Sequence, residues 1–202
     1  MKKHHYKQTD FFTTVNDLNS LPVESKKEIA IVGRSNAGKS SLLNTLTNQT
    51  RLAFTSKTPG RTQHINYFSI ENEDGLFLVD LPGYGFAQVP EKVRAHWVEM
   101  LSTYLQTRVP LIGLVIIMDS RHPLKELDYK MLEFFGVTGK PIHIVLSKVD
   151  KLNQSEKARC LSLVKSTLLK GGFINFTVQL FSSPKRLGIE ELETTLDTWL
   201  NA

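Results

Sequence analysis

The stretch Gly33-Arg34-Ser35-Asn36-Ala37-Gly38-Lys39-Ser40 decides the fold. It has the form G-x-x-x-x-G-K-[ST]. It follows an apolar run at 29–32 and opens an amphipathic one at 39–47, with Leu42, Leu43 and Leu46 at helical spacing. The spacing has a chemical reason. Glycines let the backbone curl until its N–H groups point into one hollow, and the N-terminus of the next helix adds positive partial charge there. Such a hollow takes phosphates. Lys39 is placed to reach the β- and γ-phosphates of a nucleotide, and Ser40 to ligate Mg²⁺. With Gly near ~7% of residues, a chance match in a chain this long is on the order of one per cent.

Outward from this loop, apolar runs alternate with amphipathic ones. Strands are expected at 29–32, 64–70, 76–80, 111–118, 142–146 and 177–181. Helices are expected at 39–47, at 91–106 (Val93, Trp97, Leu101, Leu105 inward) and at 124–135 (Leu127, Met131, Phe134 inward). Another starts at Asn153, with Glu156 as capping-box partner, and stops at Gly171. The last spans 188–200, with Leu192, Leu196 and Trp199 inward. Asp74-Gly75 reads as a tight hairpin turn, which makes one edge strand antiparallel. The predicted fold is α/β, a P-loop NTPase of the Ras-like G-domain type. Its sheet is mostly parallel and six-stranded with one antiparallel edge strand, and helices cover both faces. Residues 1–27 read as a polar N-terminal extension, in which Phe11, Phe12 and Val15 can strap a short strand onto the body; 28–202 read as the G domain.

The chain has 202 residues, enough for one cored domain without disulfides, and a single cysteine, Cys160, in a predicted helix. One thiol offers neither an intrachain disulfide nor a Cys-rich metal site. Lys+Arg number 25 against Asp+Glu 20, a formal charge of +5. That balance agrees with an RNA partner and equally with a solvated basic surface. The N-terminus is basic but lacks an apolar stretch behind it, so it is not a secretory signal. The longest apolar run, 111–118, falls short of the ~20 residues a membrane span needs. A soluble cytoplasmic monomer is the expectation.

Three further motifs fit the phosphate loop. Asp80-Leu81-Pro82-Gly83 ends a strand: the carboxylate can hold Mg²⁺ through water, and Gly83 can offer its N–H to a γ-phosphate. The loop Thr55-Ser56-Lys57-Thr58-Pro59-Gly60-Arg61-Thr62-Gln63 is polar and basic, a segment that γ-phosphate and Mg²⁺ can order. Thr62 is chosen as the second Mg²⁺ hydroxyl, with Thr58 the competitor. Ser147-Lys148-Val149-Asp150 resembles the [NT]-K-x-D guanine motif. Guanine presents N1–H beside an exocyclic amine, and one carboxylate accepts from both. Adenine lacks that pair, and a site built on hydrogen bonds rejects such an analogue by ~10⁴ or more. Phe181-Ser182-Ser183 follows the last strand and can donate N–H groups to guanine O6; it is also an ordinary turn sequence.

GRSNAGKSSLLN at 33–44, SKTPGRTQ at 56–63, DLPGYGFA at 80–87, DSRHP at 119–123 and FSS at 181–183 together resemble the EngB (YihA, YsxC) family of bacterial GTPases, in the TrmE–Era–EngA–YihA–Septin class. The resemblance covers residues 11–200. It implies GTP hydrolysis to GDP and phosphate, and a switch role in assembling the large ribosomal subunit from rRNA and ribosomal proteins. It also implies a link to cell division and septum formation. Binding segments carry over onto 33–40, Gly60 to His64, 80–83, 147–150 and 181–183, and Mg²⁺ ligands onto Ser40 and Thr62. Departures are Ser147, where Thr is usual, and Phe54, where a basic residue is common.

Small signalling GTPases carry a water-orienting Gln just after D-x-x-G; here the position is Tyr84, so a slow intrinsic rate near ~10⁻⁴–10⁻³ s⁻¹ is expected. Lys39, Thr62 and Asn36 are the residues expected to act in hydrolysis. By resemblance Asn36 helps hold K⁺ against the phosphates; the plain alternative is a loop residue bonding its own backbone. Arg34, Lys57, Arg61, Lys92 and Arg94 form a candidate rRNA-docking face, against the alternative of a solvated surface. Two other functions compete: a P-loop small-molecule kinase, in which D-x-x-G and S-K-x-D have no role, and a nucleotide-dependent RNA-binding module with little hydrolysis.

Overall fold

A computed structural model describes residues 2–53, 64–71, 73–84 and 91–202, with backbone alone for 91–97. The strands are β1 (Asp10–Val15), β2 (Lys27–Gly33), β3 (Ile65–Ser69), β4 (Leu76–Asp80), β5 (Leu111–Asp119), β6 (Ile142–Ser147) and β7 (Phe176–Leu180). The helices are α1 (Lys39–Leu46), α2 (Glu91–Thr107), α3 (Glu126–Gly136), α4 (Gln154–Lys170) and α5 (Ile189–Asn201). The strands form one sheet in the order β1-β3-β4-β2-β5-β6-β7. β3 runs antiparallel to both neighbours, and every other pairing is parallel.

Two expectations are corrected. Among the described residues the sheet has seven strands rather than six, and the reversed strand is not at the edge, because β1 pairs with it along Asp10–Ser69 to Val15–Ile65. The register of β1 jumps between Phe11 and Thr13. Phe11 meets Phe68 (ring centroids 6.0 Å) and Phe12 meets Phe77 on the opposite face (4.9 Å), as successive strand residues do. A bulge breaks the period-two alternation by which a strand is read from sequence. The Asp74-Gly75 turn joins β3 to β4 as expected, with Leu76 N–H donating to Glu73 O at 3.4 Å and Gly75 at φ 85°.

Alternation along the central strands sends side chains to two cores. Ile29, Ile31, Val115, Ile117 and Val145 meet α1 and α5 through Leu42, Leu43, Leu46, Leu192 and Leu196. Ala30, Val32, Leu114, Ile116, Ile144 and Leu146 meet α2, α3 and α4 through Tyr104, Leu132, Phe135, Val164 and Leu168. The buried face of α3 is Asp128, Leu132 and Phe135, with Met131 and Phe134 on its flank and Leu127 exposed. It is turned one residue from the expected face, and its first buried position is a polar side chain, Asp128, in the opening turn. α4 starts as read: Asn153 accepts from Glu156 N–H at 2.9 Å, and Glu156 accepts from Asn153 N–H at 2.8 Å. Such a reciprocal cap is worth about 1 kcal/mol.

Two local features hold the frame that carries the site. Buried Glu28, on β2, accepts from Arg108 Nη2 at 2.6 Å, Arg108 Nε at 2.9 Å and the Tyr104 hydroxyl at 2.7 Å. Trp199 of α5 packs against β5 at Gly113, where a Cβ would come within 2.5 Å of the indole. Among the described residues no helix is long and apolar enough to cross a membrane.

Candidate nucleotide site

In a parallel sheet every C-terminal strand end opens on the same edge, and ligands gather there. That edge collects Gly33 from β2, Asp80 from β4, Asp119 from β5 and Ser147 from β6, with Phe181 just beyond β7. The phosphate loop bends through two left-handed residues, Asn36 (φ 63°) and Gly38 (φ 103°), and Ala37 N–H closes it onto Arg34 O at 3.0 Å. Gly33 is required by packing: a Cβ there would lie 2.8 Å from Ile117 O of β5. Lys39 and Ser40 open α1, so the first-turn N–H groups face the same hollow.

Lys39 Nζ donates to Asp80 Oδ1, joining two of the sequence-predicted groups. Leu81, Pro82 and Gly83 are buried beside them. Ser147 braces the loop from β6: its hydroxyl lies 2.5 Å from Ala37 O and 3.1 Å from Met118 O. Lys148, at φ 60°, donates to Asn36 O at 2.6 Å and to Asp119 Oδ2 at 3.0 Å. Its stem is thereby stretched across the edge, beside Asp150. The Ser182 hydroxyl donates to Asp150 Oδ1 at 2.7 Å, and Val149 N–H donates to Phe181 O at 3.3 Å. These bonds bring 147–150 and 181–182 together. The Ser182 bond holds the Asp150 carboxyl below the usual carboxylate range, with burial opposing it. Asp150 is therefore an anion at neutral pH, the form that accepts two donors at once.

Asp119 is a member of this edge whose role the sequence reading did not assign. Burial pushes its carboxyl up, but bonds from Arg121 (2.9 and 2.6 Å) and Lys148 outweigh it and hold it well below the usual range. The available signal was its place at the end of a buried strand. Ser183 is half-buried and Asn36 exposed; the Asn36 amide has no hydrogen-bond partner among the described residues. Arg34 turns away from the hollow to Asp128 and to the carbonyl of His122, so its guanidinium is not free for a docking face. His64 is exposed just before β3. Phe54, Lys57, Thr58, Gly60, Arg61, Thr62 and Gln63 lie outside the described residues, as do the side chains of Lys92 and Arg94.

The family described as 50S ribosome-binding GTPase matches residues 28–148. A protein named "Probable GTP-binding protein EngB" from Neisseria meningitidis serogroup B is 60% identical over 198 residues, covering 98% of this chain and 93% of that protein. The chain belongs to the EngB family of GTPases. A second EngB relative, from Laribacter hongkongensis, is 58% identical over 194 residues, covering 96% of this chain and 86% of its own length. Among solved structures, a probable GTP-binding protein engB superposes with TM-score 0.67 at 19% identity, covering 86% of this chain and 98% of that one. Era in complex with MgGDPNP and nucleotides 1506–1542 of 16S ribosomal RNA superposes with TM-score 0.68 at 24% identity, over 86% of this chain and 56% of that one. At those identities the likeness is one of fold. As an EngB-family member the chain is a GTP-binding protein with a GTPase domain.

Proposed function

We propose that this chain binds GTP with Mg²⁺, hydrolyses it slowly when alone, and uses the cycle to enter and leave precursors of the large ribosomal subunit. The observation that carries the nucleotide part is the Ser147–Ala37 and Lys148–Asn36 bonding, which locks the base-reading segment onto the phosphate loop. Phosphate grip and base choice then become one rigid site, with Asp150 accepting from guanine and Phe181, Ser182 and Ser183 closing over the base.

The residues present fit Mg²⁺. Ser40 and Asp80 offer hard oxygens, and the Asp80 carboxylate is buried with Lys39 as its cation. A triphosphate that draws Lys39 to itself leaves Asp80 facing the site in need of another positive charge. Ser40 and Thr62 are the residues that would hold the ion, with Asp80 as a nearby carboxylate, and it would supply positive charge against the phosphates. Gly60, Arg61, Gln63 and His64 are proposed to close over the nucleotide with Thr62. Asn36 is proposed to hold K⁺ beside the phosphates. Exchange of K⁺ for Na⁺ then slows wild-type single-turnover hydrolysis and leaves Asn36→Ala unchanged; equal rates throughout remove this role.

Large-subunit assembly is supported by the family's description as 50S ribosome-binding and by the net charge of +5. A cytoplasmic setting and a role in normal division are proposed with it, on the resemblance to the EngB family. The test is to recover particles on the chain loaded with a non-hydrolysable GTP analogue or with GDP. Large-subunit precursors are expected with the analogue only. Equal recovery with both, or none with either, contradicts the proposal.

A further inference from the structure

Tyr84, the residue after Gly83, is fastened on both sides. Its N–H donates to Gly33 O at 3.2 Å, and it pairs with Arg34 as a parallel bridge, so the chain leaving β4 stays zipped to the phosphate loop. The two side chains then converge on one oxygen. The Tyr84 hydroxyl donates to Asp128 Oδ1 at 2.7 Å, and Arg34 Nε donates to the same atom at 3.2 Å. Asp128 Oδ2 accepts Lys125 N–H at 2.9 Å, and Arg34 Nη2 donates to His122 O at 2.8 Å. Asp128 has no exposed surface.

A buried carboxylate demands a counter-charge and filled lone pairs. Here the charge comes from the phosphate loop and the second donor from the segment after Gly83. Neither can swing away without leaving Asp128 short. Burial, then Asp128 itself, pushes the Tyr84 phenol far above its ordinary range, so it remains a donor at any working pH. The same commitment to α3 keeps Tyr84 from orienting water.

We propose that Asp128 is a positioning residue for γ-phosphate recognition: by tying Arg34 and Tyr84 to one side chain of α3, it fixes the Gly83 N–H relative to the phosphate cradle before nucleotide arrives. This rests on Gly83 being the γ-phosphate donor. A site ordered in advance avoids an ordering cost at binding. Freeing one backbone residue corresponds to about a five- to thirtyfold loss in affinity. GDP, which has no γ-phosphate, escapes that loss.

The test measures dissociation constants of the full chain with Mg²⁺ for GDP and for a non-hydrolysable GTP analogue. Tyr84→Phe and Asp128→Asn should each weaken the analogue about five- to thirtyfold and leave GDP within about twofold. The double variant should be no worse than the weaker single one, since both act through one oxygen. An unchanged GTP-to-GDP ratio, or equal loss for both nucleotides, overturns the proposal. Tyr84→Phe removes only a hydroxyl and decides the matter if Asp128→Asn does not fold. Gly83→Pro, which removes the N–H itself, separates the premises. If it weakens the analogue and Tyr84→Phe does not, only the role of Asp128 fails; if it leaves the analogue untouched, the γ-phosphate reading of Gly83 fails too.

Discussion

Replacing Asp150 by Asn probes base recognition at the atom level. Asp150 Oδ1 accepts the Ser182 hydroxyl at 2.7 Å, and Ser182 Oγ is already an acceptor for Lys185 N–H at 3.3 Å. The hydroxyl proton therefore points at Asp150, and an Asn there keeps its oxygen at the Oδ1 position. Its NH₂ takes the Oδ2 position and meets guanine's donors with a donor. One charge-assisted bond is lost, about 1.5–3 kcal/mol, and an unpaired buried donor adds about 1–3 kcal/mol. GTP and GDP should both bind about 10²–10⁴-fold more weakly, the equivalent of about 3–6 kcal/mol. Xanthine carries a carbonyl where guanine carries the amine, so xanthosine triphosphate should gain as GTP loses. Titration with fluorescent nucleotides measures all three. GTP affinity within threefold of wild type, with no gain for the xanthine nucleotide, refutes the assignment of Asp150.

Other consequences concern the frame around the site. Gln179 Nε2 donates to Gly188 O at 2.7 Å, which leaves Gln179 Oε1 to accept from His143 Nε2 at 2.7 Å and keeps a proton on that nitrogen. Burial pushes the His143 pKa down to about 4 from 6.5, with the Gln179 bond opposing. The unfolded chain then takes up the proton first as pH falls, so stability is full above about 6.5 and declines by up to about 3 kcal/mol towards pH 4. Urea unfolding should show that slope in wild type and a shallower one in His143→Gln; identical slopes contradict it. Arg108→Met strands buried Glu28 and should cost about 3–5 kcal/mol, with most of it recovered by adding Glu28→Gln; a single-variant cost below about 1 kcal/mol contradicts the pairing. Ser147→Ala removes the brace on Ala37 O and should weaken GTP and GDP alike, by up to about tenfold, because it touches the loop rather than the γ-phosphate; a GTP-selective loss argues against that role.

The parts legible in sequence were those set by local chemistry. The phosphate loop was readable because its glycines stand where a left-handed bend at Gly38 and close packing at Gly33 need them, and α4 because Asn153 and Glu156 cap reciprocally. Five parallel strands were readable because burial on both faces leaves uninterrupted apolar runs such as 111–118. What escaped depended on partners distant in sequence. The short strand at Phe11, Phe12 and Val15 was read, but not its place beside β3, because that pairing joins residues fifty or more positions apart and its register shifts between Phe11 and Thr13. Asp128 looks like a surface residue of an amphipathic helix until Arg34 and Tyr84, more than forty residues earlier, arrive to bind it. Asp119 likewise acquires its role from Lys148, which reaches back across from the next strand.

Calorimetric titration of the wild-type chain with GTP and with ATP, each with and without Mg²⁺, tests the site most directly. GTP should bind only in the magnesium-supplied cell at full strength, and ATP should be weaker by ~10⁴ or more. Equal binding of the two triphosphates, or of neither when magnesium is supplied, contradicts a backbone cradle whose base choice rests on Asp150.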